Sequence, residues 1–136
     1  INKFFRELTK NIKFTKITLN IKGREFIIPN FYDGIIKFDF TDLCDKNIGA
    51  EDYIKIAEIS KFLIIQNIPN FNEVNSNQQQ RFITLVDILY EKRISLMISL
   101  ETNLKNITSS MKLTEPFKRT TSRLYELTSS KYDFTT

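Results

Sequence analysis

Phe62-Leu63-Ile64-Ile65 is an unbroken apolar run, and it restricts the fold more than any other stretch of the chain. A strand that is apolar at every position has both of its faces buried, the situation of a parallel sheet covered by its own crossover segments. Further along, Phe82, Leu85, Val86, Leu89 and Tyr90 follow i, i+3, i+4, i+7, i+8 spacing and predict an amphipathic helix over 78–92. Lys92 and Arg93 place positive charge at its carbonyl end. Ile94-Ser95-Leu96-Met97-Ile98-Ser99-Leu100 then reads as another strand. Strand, helix and strand in that order imply parallel strands joined by a right-handed crossover.

The same alternation extends in both directions. Ala50 to Lys61 reads as a helix with Glu51 and Asp52 in its first turn, where the helix dipole favours acids. Gly34 precedes a strand over Ile35-Ile36-Lys37-Phe38-Asp39-Phe40. Residues 16–28 alternate apolar and polar on either side of Lys22-Gly23, which predicts a β-hairpin turning where positive φ costs glycine little. Ile1, Phe4, Phe5, Leu8 and Ile12 fall at helical spacing and predict a short amphipathic helix. Asn70 to Asn77 is polar and turn-like. Thr114-Glu115-Pro116 carries a hydroxyl cap, an acid and a first-turn proline, and starts a helix running through Arg123 to about Ser129. The expected fold is α/β: a layered domain with a mainly parallel sheet flanked by helices, plus an N-terminal β-hairpin. Residues 1–136 are read as one domain, with a short helix and hairpin over 1–33, an α/β core over 34–112 and a C-terminal helix over 113–136.

Several chemistries are excluded by composition. The 136 residues contain no histidine and one cysteine, Cys44, so a Cys/His zinc site, a Ser-His-Asp triad and an internal disulfide are all ruled out. No stretch reaches the roughly 20 apolar residues of a membrane span. The formal net charge of +4 is unevenly distributed. Residues 1–37 hold eight Lys/Arg against Glu7, Glu25 and Asp33, a net of +5; residues 39–61 hold six acids against Lys46, Lys55 and Lys61, a net of −3. The basic first third, with Phe14, Phe26, Phe31 and Tyr32 nearby, forms an electrostatic footprint, but no nucleic-acid-binding motif accompanies it. Opening on Ile1, the chain reads as a segment of something longer.

Six short patterns occur in a fixed order: Gly23-Arg24 on the hairpin, Phe38-Asp39-Phe40-Thr41-Asp42-Leu43-Cys44, Ala50-Glu51-Asp52-Tyr53, Ile68-Pro69, Arg81-Phe82-Ile83, and Arg119-Thr120 with Ser122-Arg123-Leu124. In that order they resemble the C-terminal portion of the P-loop (AAA-type) ATPase family comprising the ZapE cell-division ATPases and their mitochondrial AFG-one-like relatives. The resemblance covers nearly the whole chain. It departs at Gln80-Arg81, where the family has two arginines, and at Glu126-Leu127, where it has Glu-Met.

The resemblance implies that this chain is the back half of an ATP-driven protein. ATP and Mg2+ would be cofactors of the full-length parent, held by an N-terminal half with a G-x-x-x-x-G-K-[ST] loop and an Asp-Glu pair. Here no G-x-x-x-x-G-K occurs, and only three glycines are present, so the chain alone is expected to be inactive with no cofactor bound and no catalytic or metal-binding residue of its own. Strand 62–66, helix 78–92 and strand 94–100 imitate a P-loop core, but Gln66-Asn67 stands where metal-binding acids would be needed. The implied partners are the N-terminal nucleotide-binding half and cell-division proteins, in the cytoplasm or peripheral to the inner membrane, with nucleic acid disfavoured and an oligomer open. Arg119 and Arg123, four apart on one helix face, are candidates for sensing nucleotide phosphates, or else they pair with nearby acids. Arg81 is a candidate inter-subunit or inter-domain arginine or a surface ion pair. Arg24 is a candidate partner contact or a solvated turn residue. Asp87 lies mid-helix, placed to bond backbone or an arginine. The alternative to the ATPase reading is a stand-alone basic module that binds protein or nucleic acid.

Overall fold

The computed structural model describes residues 13–45 and 48–128. The amphipathic helix expected over Ile1 to Ile12 lies outside the described residues, as does everything beyond residue 128.

The hairpin forms as expected. Strands β1 (Thr15–Ile21) and β2 (Arg24–Tyr32) are antiparallel and close on Ile21 opposite Arg24. Lys22 and Gly23 have φ of 52° and 80°, the two positive values of a type I′ turn, and the Gly23 N–H donates to Asn20 Oδ1 at 3.0 Å. A register shift lies between Thr15 and Ile17, opposite the stretch of β2 that holds Pro29, a residue with no N–H to contribute to a ladder. A second tight turn, Asp33-Gly34, joins β2 antiparallel to β3 (Ile35–Asp39). Asp-Gly between two apolar segments is a hairpin signal in its own right. The hairpin is therefore continuous with the main sheet.

Beyond β3 the ladder turns parallel. β4 (Phe62–Ile68) pairs with β3, and β5 (Ser95–Leu100) pairs with β4, giving a five-stranded sheet in chain order with two antiparallel and two parallel pairings. Helices α1 (Phe40–Cys44), α2 (Ala50–Ile59), α3 (Ser76–Glu91) and α4 (Thr114–Thr128) complete the described residues with a 3-10 turn at Met111–Leu113. Ile36, Phe38, Leu63, Ile65, Leu96 and Ile98 line one sheet face and share an apolar cluster with all four helices. On the opposite face Phe62, Ile64 and Met97 form a separate buried cluster flanked by Ile35. The run 62–65 is thus buried on both sides, as its composition requires.

Two local expectations need correction. Phe40 belongs to α1 and not to β3, because Asp39 ends the strand by capping the helix. Its carboxylate accepts from Thr41 N, and the Asp42 carboxylate accepts from Asp39 N in return, a reciprocal capping box. Thr114 does not cap α4. The preceding 3-10 turn already satisfies that end, and the Thr114 hydroxyl donates back to the Ser110 carbonyl at 3.2 Å.

Two of the six ordered patterns, those holding Phe40 and Phe82, meet in the core beside Phe117. Phe40, Phe82 and Phe117 surround Phe71, with ring centroids 5.7, 5.8 and 5.4 Å from it. Such tilted and edge-on arrangements are the favoured ones for aromatic rings. This cluster ties α1, α3 and α4 to the loop that follows β4.

The α3–α4 arginine cleft as candidate functional site

Because β3, β4 and β5 lie in chain order with α2 and α3 on one face, the sheet has no point where strand order reverses. Open α/β sheets place their ligand crevices at such reversals. The polar groups at the carboxyl ends of the parallel strands are instead bonded to one another. Asn67, with φ of 63°, donates its amide to Asp39 Oδ1 at 2.6 Å, and its N–H donates to Ser99 Oγ at 2.8 Å. Burial by itself raises the Asp39 pKa, but the hydrogen bonds from Asn67 and Thr41 outweigh it and hold the carboxyl below its ordinary value. Among the described residues no three His, Cys, Asp or Glu side chains gather as a metal cage. With both of its oxygens engaged by neighbours, Asp39 does not present the open acid pair that a nucleotide-bound Mg2+ takes from its protein.

An open cleft of about 550 Å³ lies instead between α3 and α4, lined by Asp87, Tyr90, Glu91, Arg93, Arg119 and Arg123. The one-turn spacing of Arg119 and Arg123 on α4 brings both toward Asp87 of α3. Arg123 Nη1 donates to Asp87 Oδ1 at 2.5 Å, whereas Arg119 Nη2 stands 3.7 Å from Asp87 Oδ2, beyond hydrogen-bonding distance. The Arg123 side chain is 27% exposed and the Arg119 side chain 57%. Tyr90 has two guanidiniums over its ring, Arg93 at 4.4 Å and Arg123 at 4.6 Å from the centroid, and its hydroxyl donates to Glu126 at 2.8 Å. Arg93 also reaches Glu126 at 3.4 Å. The fork geometry and permanent charge of these arginines suit the oxygens of a phosphate or another oxyanion.

The other candidate arginines lie elsewhere. Arg81 Nη1 donates to the Cys44 carbonyl at 3.0 Å, closing the end of α1 and docking α3 on it, while the Gln78 amide bonds Asp45 at 2.9 Å. Cys44 is fully buried, and burial pushes its thiol up to about 12. Tyr53 donates to the Leu43 carbonyl at 2.6 Å, and burial raises its phenol as well. Arg24 crosses to the start of α2 and bonds Asp52 at 2.7 Å.

Sequence reasoning gives Gln79 no role and reads Arg93 only as positive charge at the carbonyl end of the helix. Gln79 is fully buried and holds the loop before α4, donating to Ser109 Oγ at 2.7 Å and accepting from Ser110 N at 3.1 Å. The available signal was its place in the run Gln78-Gln79-Gln80, three residues before Phe82 and so in line with the apolar stripe of α3. For Arg93 the signal was an arginine directly after a helix, where glycine is usual.

The fold and cleft define an α/β domain with an arginine-lined groove in its helical layer, lacking a phosphate-binding loop of its own. The profile of the AFG1-like ATPase family matches residues 1–135, and the chain belongs to that family. It is 30% identical over 115 residues to the Cell division protein ZapE of Escherichia coli K12, covering 85% of this chain and 31% of that protein. To Lactation elevated protein 1 homolog B of Danio rerio it is 31% identical over 100 residues, covering 72% of this chain and 20% of that protein. An uncharacterized protein of Schizosaccharomyces pombe is 29% identical over 89 residues, covering 65% of this chain and 20% of that protein. The chain thus spans less than a third of the length of these curated relatives. No solved structure gives a significant match. Among the described residues no helix is long and apolar enough to cross a membrane.

Proposed function

We propose that this chain is the C-terminal domain of an AFG1-like ATPase, coupling ATP hydrolysis in an N-terminal half to action on protein partners. The likeness to a cell-division protein supports partners in that process. Phosphoryl transfer depends on a backbone cradle, a lysine and a metal that the 136 residues do not supply, so hydrolysis belongs to the other half. What this domain contributes is a response to nucleotide state.

The observation that carries the reading is the convergence of Arg119 and Arg123 on one open groove between α3 and α4. A phosphate presented by the nucleotide-binding half engages guanidiniums that otherwise face Asp87. Because α3 and α4 both pack against Phe71 in the core, a change in their contact is passed to the domain core. Arg81 and Arg24, bonded within the chain, act in this reading by holding α1 and the hairpin in place for the adjoining half.

The test is ATP turnover of the full-length protein carrying Arg119→Ala or Arg123→Ala. Charge-assisted hydrogen bonds of this kind contribute about 1.5–3 kcal/mol, so turnover at limiting ATP is expected to fall by about 10-fold or more. Unchanged turnover in both variants, with folding intact, would leave the two arginines a structural role only.

A further inference from the structure

We infer that the α3–α4 cleft is an oxyanion site whose ligand-binding forks are Arg93 and Arg119, with Arg123 positioning the site and Asp87 standing where a phosphate group enters. The inference rests on reading the cleft as the phosphate contact and deepens it by assigning the roles.

Arg93 carries the argument. Helix α3 ends in a Schellman arrangement: Ile94 N donates to Leu89 O at 3.0 Å and Arg93 N to Tyr90 O at 3.1 Å. The residue between, Arg93, has φ of 56°, the left-handed conformation that costs a side-chain-bearing residue roughly 1–2 kcal/mol and glycine almost nothing. Helix-dipole compensation does not account for an arginine here, because Lys92 already places a cation at that end. Nor does its ion pair with Glu126, since the two side chains are 61% and 57% exposed and such pairs contribute little. The conformation does lay the guanidinium over Tyr90 at the rim of the cleft. Unfavourable backbone of this kind, kept where it aims a charged side chain, marks a functional position.

The roles follow from engagement. Arg123 is committed to Asp87 at 2.5 Å and stacked on Tyr90, so it builds the wall of the site. Arg119, outside hydrogen-bonding distance of Asp87, and Arg93, loosely paired, retain donors for a ligand. Three arginines face Asp87 and Glu91 in the lining (3 − 2 = +1), Glu126 paired with Arg93 brings the group to zero (3 − 3), and replacing the Asp87 charge raises it to +1. Asp87 therefore sets the affinity by fixing Arg123, standing 3.7 Å from Arg119 and repelling the incoming anion. The ligand class is a polyphosphate group.

The experiment is a calorimetric titration of the 136-residue chain with inorganic pyrophosphate and, separately, with ATP. Saturable binding is expected. Arg93→Gln and Arg119→Gln should each weaken it by about 10-fold, and Asp87→Asn should tighten it by a similar factor, the ordinary scale of one charge-assisted contact. Arg93→Gly separates function from folding: glycine suits the left-handed position, so the melting temperature should rise while binding weakens. Equal affinities for pyrophosphate and ATP assign the cleft to the phosphates alone; a tighter ATP extends it to the nucleoside, and the inference stands either way. Silence from both wild type and Asp87→Asn, or unchanged affinity in Arg93→Gln, overturns it. If Arg119→Ala slows turnover in the parent while this chain binds no pyrophosphate, the coupling role survives without this site. Binding here with unaltered turnover there has the opposite meaning.

Discussion

Arg24, at the end of the first hairpin turn, donates to Asp52 Oδ1 across 28 residues of sequence, while the other Asp52 oxygen accepts the Gly49 N–H at the start of α2. The Asp52 side chain is 3% exposed, so one carboxylate caps a helix and anchors a hairpin from a nearly dry position. A charge buried like this is tolerated because it is paired and hydrogen-bonded.

Arg24→Ala leaves that carboxylate with its single backbone donor and is expected to cost about 1–2 kcal/mol, moderated because Arg24 is half exposed. Asp52→Ala removes both bonds and should cost about 2–3 kcal/mol. Urea unfolding of the singles and the double should show a coupling of about 1 kcal/mol. Strict additivity would mean the pair does not hold the hairpin.

The two turn glycines should respond differently to alanine. Gly23 has φ of 80° with open space where a Cβ would point, so only the backbone cost of about 1 kcal/mol applies. Gly34 has φ of 84°, and a Cβ there would lie 2.7 Å from Lys61 Cγ. Gly34 O also accepts from Lys61 N at 2.8 Å, which restricts local adjustment. Gly34→Ala is expected to be more destabilising than Gly23→Ala by at least about 1 kcal/mol in thermal or denaturant unfolding.

Alkaline pH should weaken the fold through Cys44. Its thiol rises from an ordinary 9.0 to about 12 in the folded chain because burial disfavours the thiolate. A raised folded value means the native state holds its proton where the unfolded state has released it. The contribution is complete below about pH 9 and is lost as pH climbs from there toward 12. Tyr53, shifted the same way, adds to the loss above pH 10. Unfolding free energy measured across this range should fall less steeply in Cys44→Ala, and iodoacetamide should label Cys44 only at the rate of unfolding.

Arg123 and Arg119 should separate in stability as they do in geometry. Arg123→Lys keeps a charge but loses the fork on Asp87 and the stack on Tyr90, and should cost about 1 kcal/mol. Arg119→Ala should stay within about 0.5 kcal/mol, as expected for an exposed and distant pair. Equal losses for the two would contradict the assignment of Arg123 as the clasp.

Sequence reasoning reached furthest where periodicity reflects burial. The run Phe62 to Ile65 and the stripe from Phe82 to Tyr90 located β4 and α3 because water exclusion acts on each residue through its face of the element. The six ordered patterns pointed to the right family, and two of them place an aromatic residue, Phe40 and Phe82, in one cluster around Phe71. Phe40 was misplaced because strand propensity was weighed and the Asp39–Asp42 capping box was not. Asp33-Gly34 is a hairpin signal of the same kind as Lys22-Gly23, and it makes the hairpin continuous with the sheet.

By itself, then, the order of residues determined which segments are strand or helix, the hairpin turn at Lys22-Gly23, and the exclusion of histidine, disulfide and phosphate-loop chemistry, since each depends on neighbours in sequence or on composition. Only the tertiary structure decided that Arg123 meets Asp87 from 36 residues away, that Arg81 closes α1 through the Cys44 carbonyl, and that Arg93 turns onto Tyr90 at the cleft. Charged side chains on exposed helix faces leave no periodic trace of their partners. Their pairings are set by how α3 and α4 pack on the sheet, a consequence of the core that no local pattern of charges encodes.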